Sequence, residues 1–355
     1  MKRFFLIFFL VLFIMITEII NWICLAVDHL LFPTFKKVVV KPPLFIVGMP
    51  RSATTFCYEL VVADSSNMTS MKLWEILFAP SVLQKKIFRF IKGIDNRINQ
   101  SIKLRILSIE KYLFQQNEAI HPISLFNYEE DDYLFLHVFS TVAYSFIFPQ
   151  NKWFSLFREF DEKLTERQKR FLMNYYQGCI KRHLFVNGTH KRYLSKSPAH
   201  TPKIKTLLQY FPGSQYIFML RDPLQTIAST LSLFKQFEKP FQLSVGNDFM
   251  LDQAMILADK WYSYVLVTCN PIHKKSIFIM LFKDLVSEPF NSISNLYVQF
   301  GLEMDSQFKE SLLNLELDSK NFKSKNQYSP NEYGLTKEAI YKRYSYVYES
   351  YPLFR

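Results

Sequence analysis

Residues 44–63 restrict the fold of this chain more than any other segment. Leu44-Phe45-Ile46-Val47 is a short apolar run that ends in Gly48, and a tight basic, hydroxyl-rich loop follows over Met49-Pro50-Arg51-Ser52-Ala53-Thr54-Thr55. A helical segment is expected from Thr54 to about Ala63. Strand, loop and helix in this order aim backbone N–H groups and a positive helix end at an anion. Arg51 adds a permanent charge with a fork of donors, and Ser52, Thr54 and Thr55 add hydroxyls. The loop is not a Walker A loop. Counting from Gly48, the positions that need Gly and Lys hold Ala53 and Thr54, which disfavours a magnesium-dependent β,γ-phosphate site. The plain alternative is an ordinary strand-to-helix turn that contains an Arg.

A second junction repeats the logic. Tyr216-Ile217-Phe218-Met219-Leu220-Arg221 is an apolar strand ending in Arg, and Asp222-Pro223 turns the chain. A helix is expected from Leu224 to Phe234, with Pro223 at its first turn. Ser229 lies eight residues after Arg221, so strand-end Arg and helical Ser can converge on one phosphate. Between the junctions runs Leu194-Ser195-Lys196-Ser197-Pro198-Ala199-His200.

The string Pro50-Arg51-Ser52-Ala53-Thr54-Thr55 resembles the 5′-phosphosulfate loop of sulfotransferases, with Ala53 where the family usually has Gly. If that position requires positive φ, Ala costs roughly 1 kcal/mol there. Arg221 and Ser229 resemble the same family's 3′-phosphate pair. Lys196-Ser197-Pro198-Ala199-His200 is similar to its Lys-Ser-Pro-x-His segment. Tyr328-Ser329 with Glu332-Tyr333-Gly334 is similar to its closing loop over the nucleotide, with Asn326 where many members carry His. The likeness covers roughly residues 30 to 350 and is nearest to the bacterial, lipid-acting members.

This resemblance implies an α/β, P-loop-like three-layer fold with a central parallel sheet, a helical acceptor cap and an N-terminal hydrophobic helix. It also implies 3′-phosphoadenosine 5′-phosphosulfate (PAPS) as co-substrate, no metal, and transfer of a sulfuryl group to an acceptor hydroxyl, for which a lipid or other membrane-borne alcohol fits. Arg51, Ser52, Ala53, Thr54, Thr55, Arg221, Ser229 and Tyr328 are the expected nucleotide contacts. Arg51 and Lys196 would stabilise charge on the leaving phosphate. Glu130, from the run Glu129-Glu130-Asp131-Asp132, is the expected general base because lipid-type members carry a similar acidic cluster; His200 is its rival. On charge alone the run reads equally as a solvated turn or as a helix start with acids at the positive end. A P-loop kinase-like phosphotransferase and a non-catalytic, membrane-anchored nucleotide-binding module are the other classes weighed.

Strands are expected at 44–48, 183–187, 216–220 and 276–281. Residues 85–116 carry Ile87, Phe88, Phe90, Ile91, Ile94, Ile98, Ile102, Leu104 and Ile106 at near-helical spacing. The stripe reads as core-facing, or else as a cap over an apolar acceptor.

Phe4 to Val27 is nearly all apolar and long enough to cross a bilayer. Thr17, Glu18 and Asn21 interrupt it, and Glu18, Asn21 and Asp28 fall on one helical face, at spacings of three and seven, a face suited to packing on the domain or lying at the interface. An uncleaved membrane-associated helix over 1–31 followed by a sulfotransferase-like domain over 32–355 is the division expected. A cleaved signal peptide ending near Ala26 and a buried core helix are the alternatives, and flanking lysines leave the side of the membrane open. With 43 Lys and Arg against 31 Asp and Glu, the net charge is +12. The basic residues are scattered in short clusters, which suits an anionic co-substrate and anionic lipid better than nucleic acid. Four unpaired cysteines, Cys24, Cys57, Cys179 and Cys269, have neither disulfide nor zinc spacing.

Overall fold

Five parallel strands form one sheet in the order β2-β3-β1-β4-β5. They are β1 (Leu44–Gly48), β2 (Met68–Thr69), β3 (Arg192–Lys196), β4 (Gln215–Leu220) and β5 (Ile277–Leu281). The computed structural model describes residues 2–114, 124–148, 151–241, 246–320 and 330–354. Every residue of β1 is buried, as a strand between two helical layers requires. Alternation divides the strands between two cores. Phe45, Val47, Phe218 and Leu220 face one, which holds Leu172, Ile180 and Ala254. Leu44, Ile46, Ile217 and Met219 face the other, which holds Leu60, Ile293 and Leu296.

The topology places the site. Ile46 is in register with Lys196 of β3, and Gly48 with Met219 of β4. The carboxyl ends of β3, β1 and β4 are therefore side by side, where open α/β sheets bind ligands.

Strands β1, β4 and β5 lie where the sequence places them, but the strand expected at 183–187 is the end of the helix Glu166–Asn187. Leu172, Met173, Tyr176, Cys179, Ile180 and Leu184 are buried along that helix. Their helical spacing overrides the local β preference of Leu184-Phe185-Val186. Gly188, at φ 123°, ends the helix, and β3 follows. The loop helix α2 spans Thr54–Val62.

Helix α1 (Lys2–Leu31) rides on the domain through Glu18, Asn21 and Asp28. Glu18 Oε1 is 2.7 Å from His137 Nδ1. Asn21 donates to the Leu77 carbonyl (3.0 Å) and accepts from Gln84 (2.7 Å). Asp28 accepts from the amides of Val82 (2.8 Å) and Leu83 (3.0 Å), and from Arg182 Nε (2.9 Å). Those amides open α4 (Val82–Arg97), which follows the short α3 (Leu73–Phe78) and precedes α5 (Ser101–Phe114). The other side of α1 is apolar and open, with Phe13 56% exposed. Its stretch Val11–Leu31, 21 residues at mean hydropathy 2.0, is long and apolar enough to cross a membrane.

The stripe along α4 does not face the core. Ile87, Phe90, Ile91, Ile94 and Ile98 are all exposed. Periodicity identifies an apolar face but not what covers it.

Candidate active site

Gly48 begins the loop at φ 145°, and a Cβ there would stand 2.8 Å from the Met219 carbonyl oxygen, so only glycine fits. Thr201 Oγ1 grips the same residue from below. It accepts from the Gly48 amide (2.9 Å) and donates to the Gly48 carbonyl (3.0 Å). Ser52 is fully buried and donates to the Met49 carbonyl (2.6 Å). Arg51 and Ala53 both adopt φ 67°, in the left-handed region. Ala53 is the residue before α2 and offers no side-chain cap. The first-turn amides of α2, beside Thr54 and Thr55, thus receive no cap from the Ala53 side chain.

Three distant segments meet on this loop. Arg51 Nε donates to Ser229 Oγ (3.3 Å), and Arg221 Nη1 donates to the Arg51 carbonyl (2.8 Å). The Arg221 guanidinium also lies 4.3 Å from the centre of the Phe282 ring, within cation–π range. Its own carbonyl accepts from Tyr262 OH (2.9 Å). Arg221, Asp222, Gln225, Phe282 and Lys283 line a cleft of about 400 Å³.

On the β3 side, Glu130 Oε1 is 3.4 Å from Lys196 Nζ and Oε2 accepts from Ser197 Oγ (3.1 Å). Glu130 is half-buried and Lys196 fully buried, with Glu129 4.0 Å away. The acidic run is not a solvated turn: Glu129, Asp131 and Asp132 are all buried. Asp131 accepts from Tyr176 (2.5 Å), Ser195 (2.7 Å), Tyr193 (2.9 Å) and His200 Nε2 (3.0 Å). Burial alone would raise its carboxyl. The charge and hydrogen bond of His200, with the hydroxyls of Tyr176 and Ser195, outweigh that and hold it below the usual carboxylate value. Asp132 pairs with Lys203 and Thr141. His200 is fully buried, with its Nδ1 3.8 Å from Asp132.

The expected residues thus fall into two groups and a buried remainder. Arg51, Ser52, Ala53, Thr54, Thr55, Arg221 and Ser229 share one loop junction. Glu130 and Lys196 meet at the end of β3, beside β1. His200 lies beneath, in the Asp131 network. Tyr328 lies outside the described residues. Sequence reasoning misses Thr201 and Asp131. Thr201 directly follows His200, and Asp131 directly follows Glu130, but nothing in the order of residues says which side chain turns inward.

Known proteins resemble this chain in sequence and in fold. The model of the Sulfotransferase family matches residues 42–306. Omega-hydroxy-beta-dihydromenaquinone-9 sulfotransferase Stf3, from Mycobacterium bovis and from Mycobacterium tuberculosis, is 23% identical over 275 residues, 75% of this chain. The chain spans 64% of the length of these relatives. The crystal structure of sulfotransferase STF9 from Mycobacterium avium superposes with a TM-score of 0.75 at 17% identity, covering 92% of this chain and 81% of that one. That of STF1 from Mycobacterium tuberculosis gives 0.67 at 16% identity, covering 92% and 83%. With three quarters of its length matched by the family model, and with the loop, strand ends and sheet order described above, this chain belongs to the sulfotransferase family.

Proposed function

We propose that this chain transfers a sulfuryl group from PAPS to the hydroxyl of a membrane-borne alcohol. The observation that carries the reading is the placement of two groups, each with cationic side chains, at adjacent strand ends: Arg51, Arg221 and Ser229 at β1 and β4, and Lys196 with Glu130 at β3. A nucleotide with two separated phosphate sites needs two sets of donors, and the donor chemistry here fits. The α2 amides, Ser52, Thr54 and Thr55 suit the 5′ side, beside a Gly48 that leaves no room for a Cβ. Arg221 and Ser229 suit the 3′-phosphate, and Tyr328 is the proposed contact from the closing loop. PAPS supplies the sulfuryl group and a phosphate leaving group. Arg51 and Lys196 hold the negative charge that develops on the leaving oxygen, where fixed donors act most strongly. Glu130 takes the acceptor's proton as the acceptor oxygen bonds to sulfur and the bond from sulfur to the leaving oxygen breaks. Glu130 is preferred to His200 because it is partly exposed, whereas His200 is sealed against Asp131. His200 is then a positioning residue. This chemistry requires no metal.

The acceptor class is supported by the open apolar side of α1, and by a relative named for action on a hydroxylated menaquinone. In this reading residues 1–31 are the membrane-associated helix and 32–355 the sulfotransferase-like domain. The test is incubation of the full chain with labelled PAPS and a lipid extract, followed by mass spectrometry for the gain of one sulfo group. Transfer from ATP instead, or transfer abolished by chelating magnesium, overturns the proposal.

A further inference from the structure

The outer face of α4 is apolar and uncovered, with basic residues at its edge. Ile87, Phe90, Ile94 and Ile98 recur every three or four residues and are exposed, Phe90 by 71%. Lys86 and Arg97 flank this stripe at helical spacing and are exposed too, whereas Arg89 turns to the domain and donates to the Val186 carbonyl (2.8 Å) and Asn187 Oδ1 (2.7 Å), and Lys92 lies on the opposite side of the helix. Between Val82 and Lys111 the only acids are Asp95 and Glu110, and both are turned inward. Asp95 accepts from the amides of Ile102 (2.8 Å) and Lys103 (3.2 Å), while Glu110 accepts from Ser124 Oγ (2.9 Å) and the Leu125 amide (2.8 Å). Every exposed charge on this helix is therefore positive.

The helix also starts where α1 ends. Asp28 holds its first amides, and Lys86 Nζ sits 4.6 Å from the centre of the Phe32 ring, one residue past α1. A bilayer that received the apolar side of α1 would meet α4 at the level of its headgroups.

We infer that the outer face of α4 is a second membrane contact, lying on an anionic bilayer surface with its Ile and Phe side chains in the acyl boundary and its Lys and Arg among the headgroups. The inference rests on the membrane reading of α1 only for bringing the chain to the bilayer. Such a contact would fix the tilt of the domain on the surface, rather than leaving it to swing on one helix.

The test uses the full chain carrying Cys24→Ser, reconstituted in phosphatidylcholine vesicles with and without phosphatidylglycerol. Cys57, Cys179 and Cys269 are buried. One fluorophore is placed in turn at Ile16→Cys, Phe90→Cys, Ile94→Cys and, as a control on the far helix Pro289–Phe300, Val298→Cys. Quenching by brominated acyl chains reports depth. In anionic vesicles the Phe90 and Ile94 probes are expected to quench nearly as strongly as Ile16, and Val298 hardly at all. The pair Lys86→Glu and Arg97→Glu is expected to reduce quenching at Phe90 several-fold and to leave Ile16 unchanged. Quenching at Ile16 with Phe90 and Ile94 matching Val298 overturns the inference and spares the reading of α1. Vesicles that quench Phe90 and Ile94 but not Ile16 sustain it and overturn that reading. Phe90 and Ile94 probes shielded from lipid in a particle with the mass of two chains would assign the face to a second copy and overturn it.

Discussion

Arg51 Nε lies 3.3 Å from Ser229 Oγ, although the two residues are 178 positions apart. The contact joins the loop after β1 to the helix after β4, and Arg221 closes it by holding the Arg51 carbonyl. Arg221 therefore has two tasks in the proposed site, holding a phosphate and holding the loop that carries Arg51. Arg221→Ala is expected to weaken binding of 3′-phosphoadenosine 5′-phosphate by about 2–3 kcal/mol, as for loss of a charged hydrogen-bond donor. Arg51→Ala should lower turnover more than affinity, because its interaction strengthens as charge develops. Titration calorimetry on both variants, set beside their turnover, separates these, and unchanged binding in Arg221→Ala refutes the assignment.

Ala53 occupies the left-handed region at φ 67°, ψ 27°. A Cβ in that conformation costs roughly 1 kcal/mol. Ala53→Gly is therefore expected to raise the thermal midpoint by about 2 °C, and Ala53→Val to lower it by more. A lower midpoint in Ala53→Gly would mean that glycine's freedom in the unfolded chain outweighs the relief of strain.

Glu130→Gln preserves shape and removes the proton acceptor. Turnover should fall roughly 100- to 10,000-fold, with nucleotide binding intact. Gln can still face Lys196 and Ser197, so the loop is not expected to collapse. Near-normal turnover in Glu130→Gln, with loss in His200→Gln, would return the role of base to His200.

Asp131 couples the site to pH. Its folded-state pKa is depressed, so its contribution to stability is fully present above the unfolded carboxylate value of about 4 and is lost as pH falls through the folded value. Urea midpoints should accordingly drop as pH is lowered below about 4. Asp131→Asn should flatten that part of the profile. It should also cost about 3 kcal/mol at neutral pH, because an amide cannot accept from all four donors. A wild-type profile retained in Asp131→Asn would mean that other carboxylates set the acid limb.

The legible parts of this molecule are those where one segment carries its own signal. Leu44 to Gly48 and Gln215 to Leu220 are apolar strands closed by Gly or by Arg-Asp-Pro, so both strands and the junctions that follow them can be read directly. The position of β3 is harder to read, because Leu184-Phe185-Val186 looks like a strand when its helical neighbours are ignored. β2 has two residues and no pattern to find. Within Glu129-Glu130-Asp131-Asp132, charge gives no direction; only the fold turns Asp131 toward Tyr176 and leaves Glu130 beside Lys196. The exposed stripe on α4 is unreadable for the same reason, since a periodic face says nothing of its partner.

Asp28 gives the last prediction. Glu18, Asn21 and Asp28 share a helical face, and in the fold each meets the domain, Asp28 most fully. It is buried, holds the first amides of α4, and pairs with Arg182, itself buried with its guanidinium 4.1 Å from the centre of the Phe35 ring. Removing one member of a buried pair leaves the other uncompensated, at a cost of about 3 kcal/mol. Asp28→Ala in the full chain should therefore lower the urea midpoint in detergent markedly. It should leave membrane fractionation resistant to high salt, because salt screens charge but not apolar burial. A chain beginning at Pro33 keeps every proposed phosphate contact, yet it loses Asp28 and should be destabilised at least as much, despite being freed of its apolar helix. If Asp28→Ala unfolds like the parent, α1 is a detachable anchor. If the full chain is instead washed from membranes by salt, the apolar side of α1 is not buried in lipid.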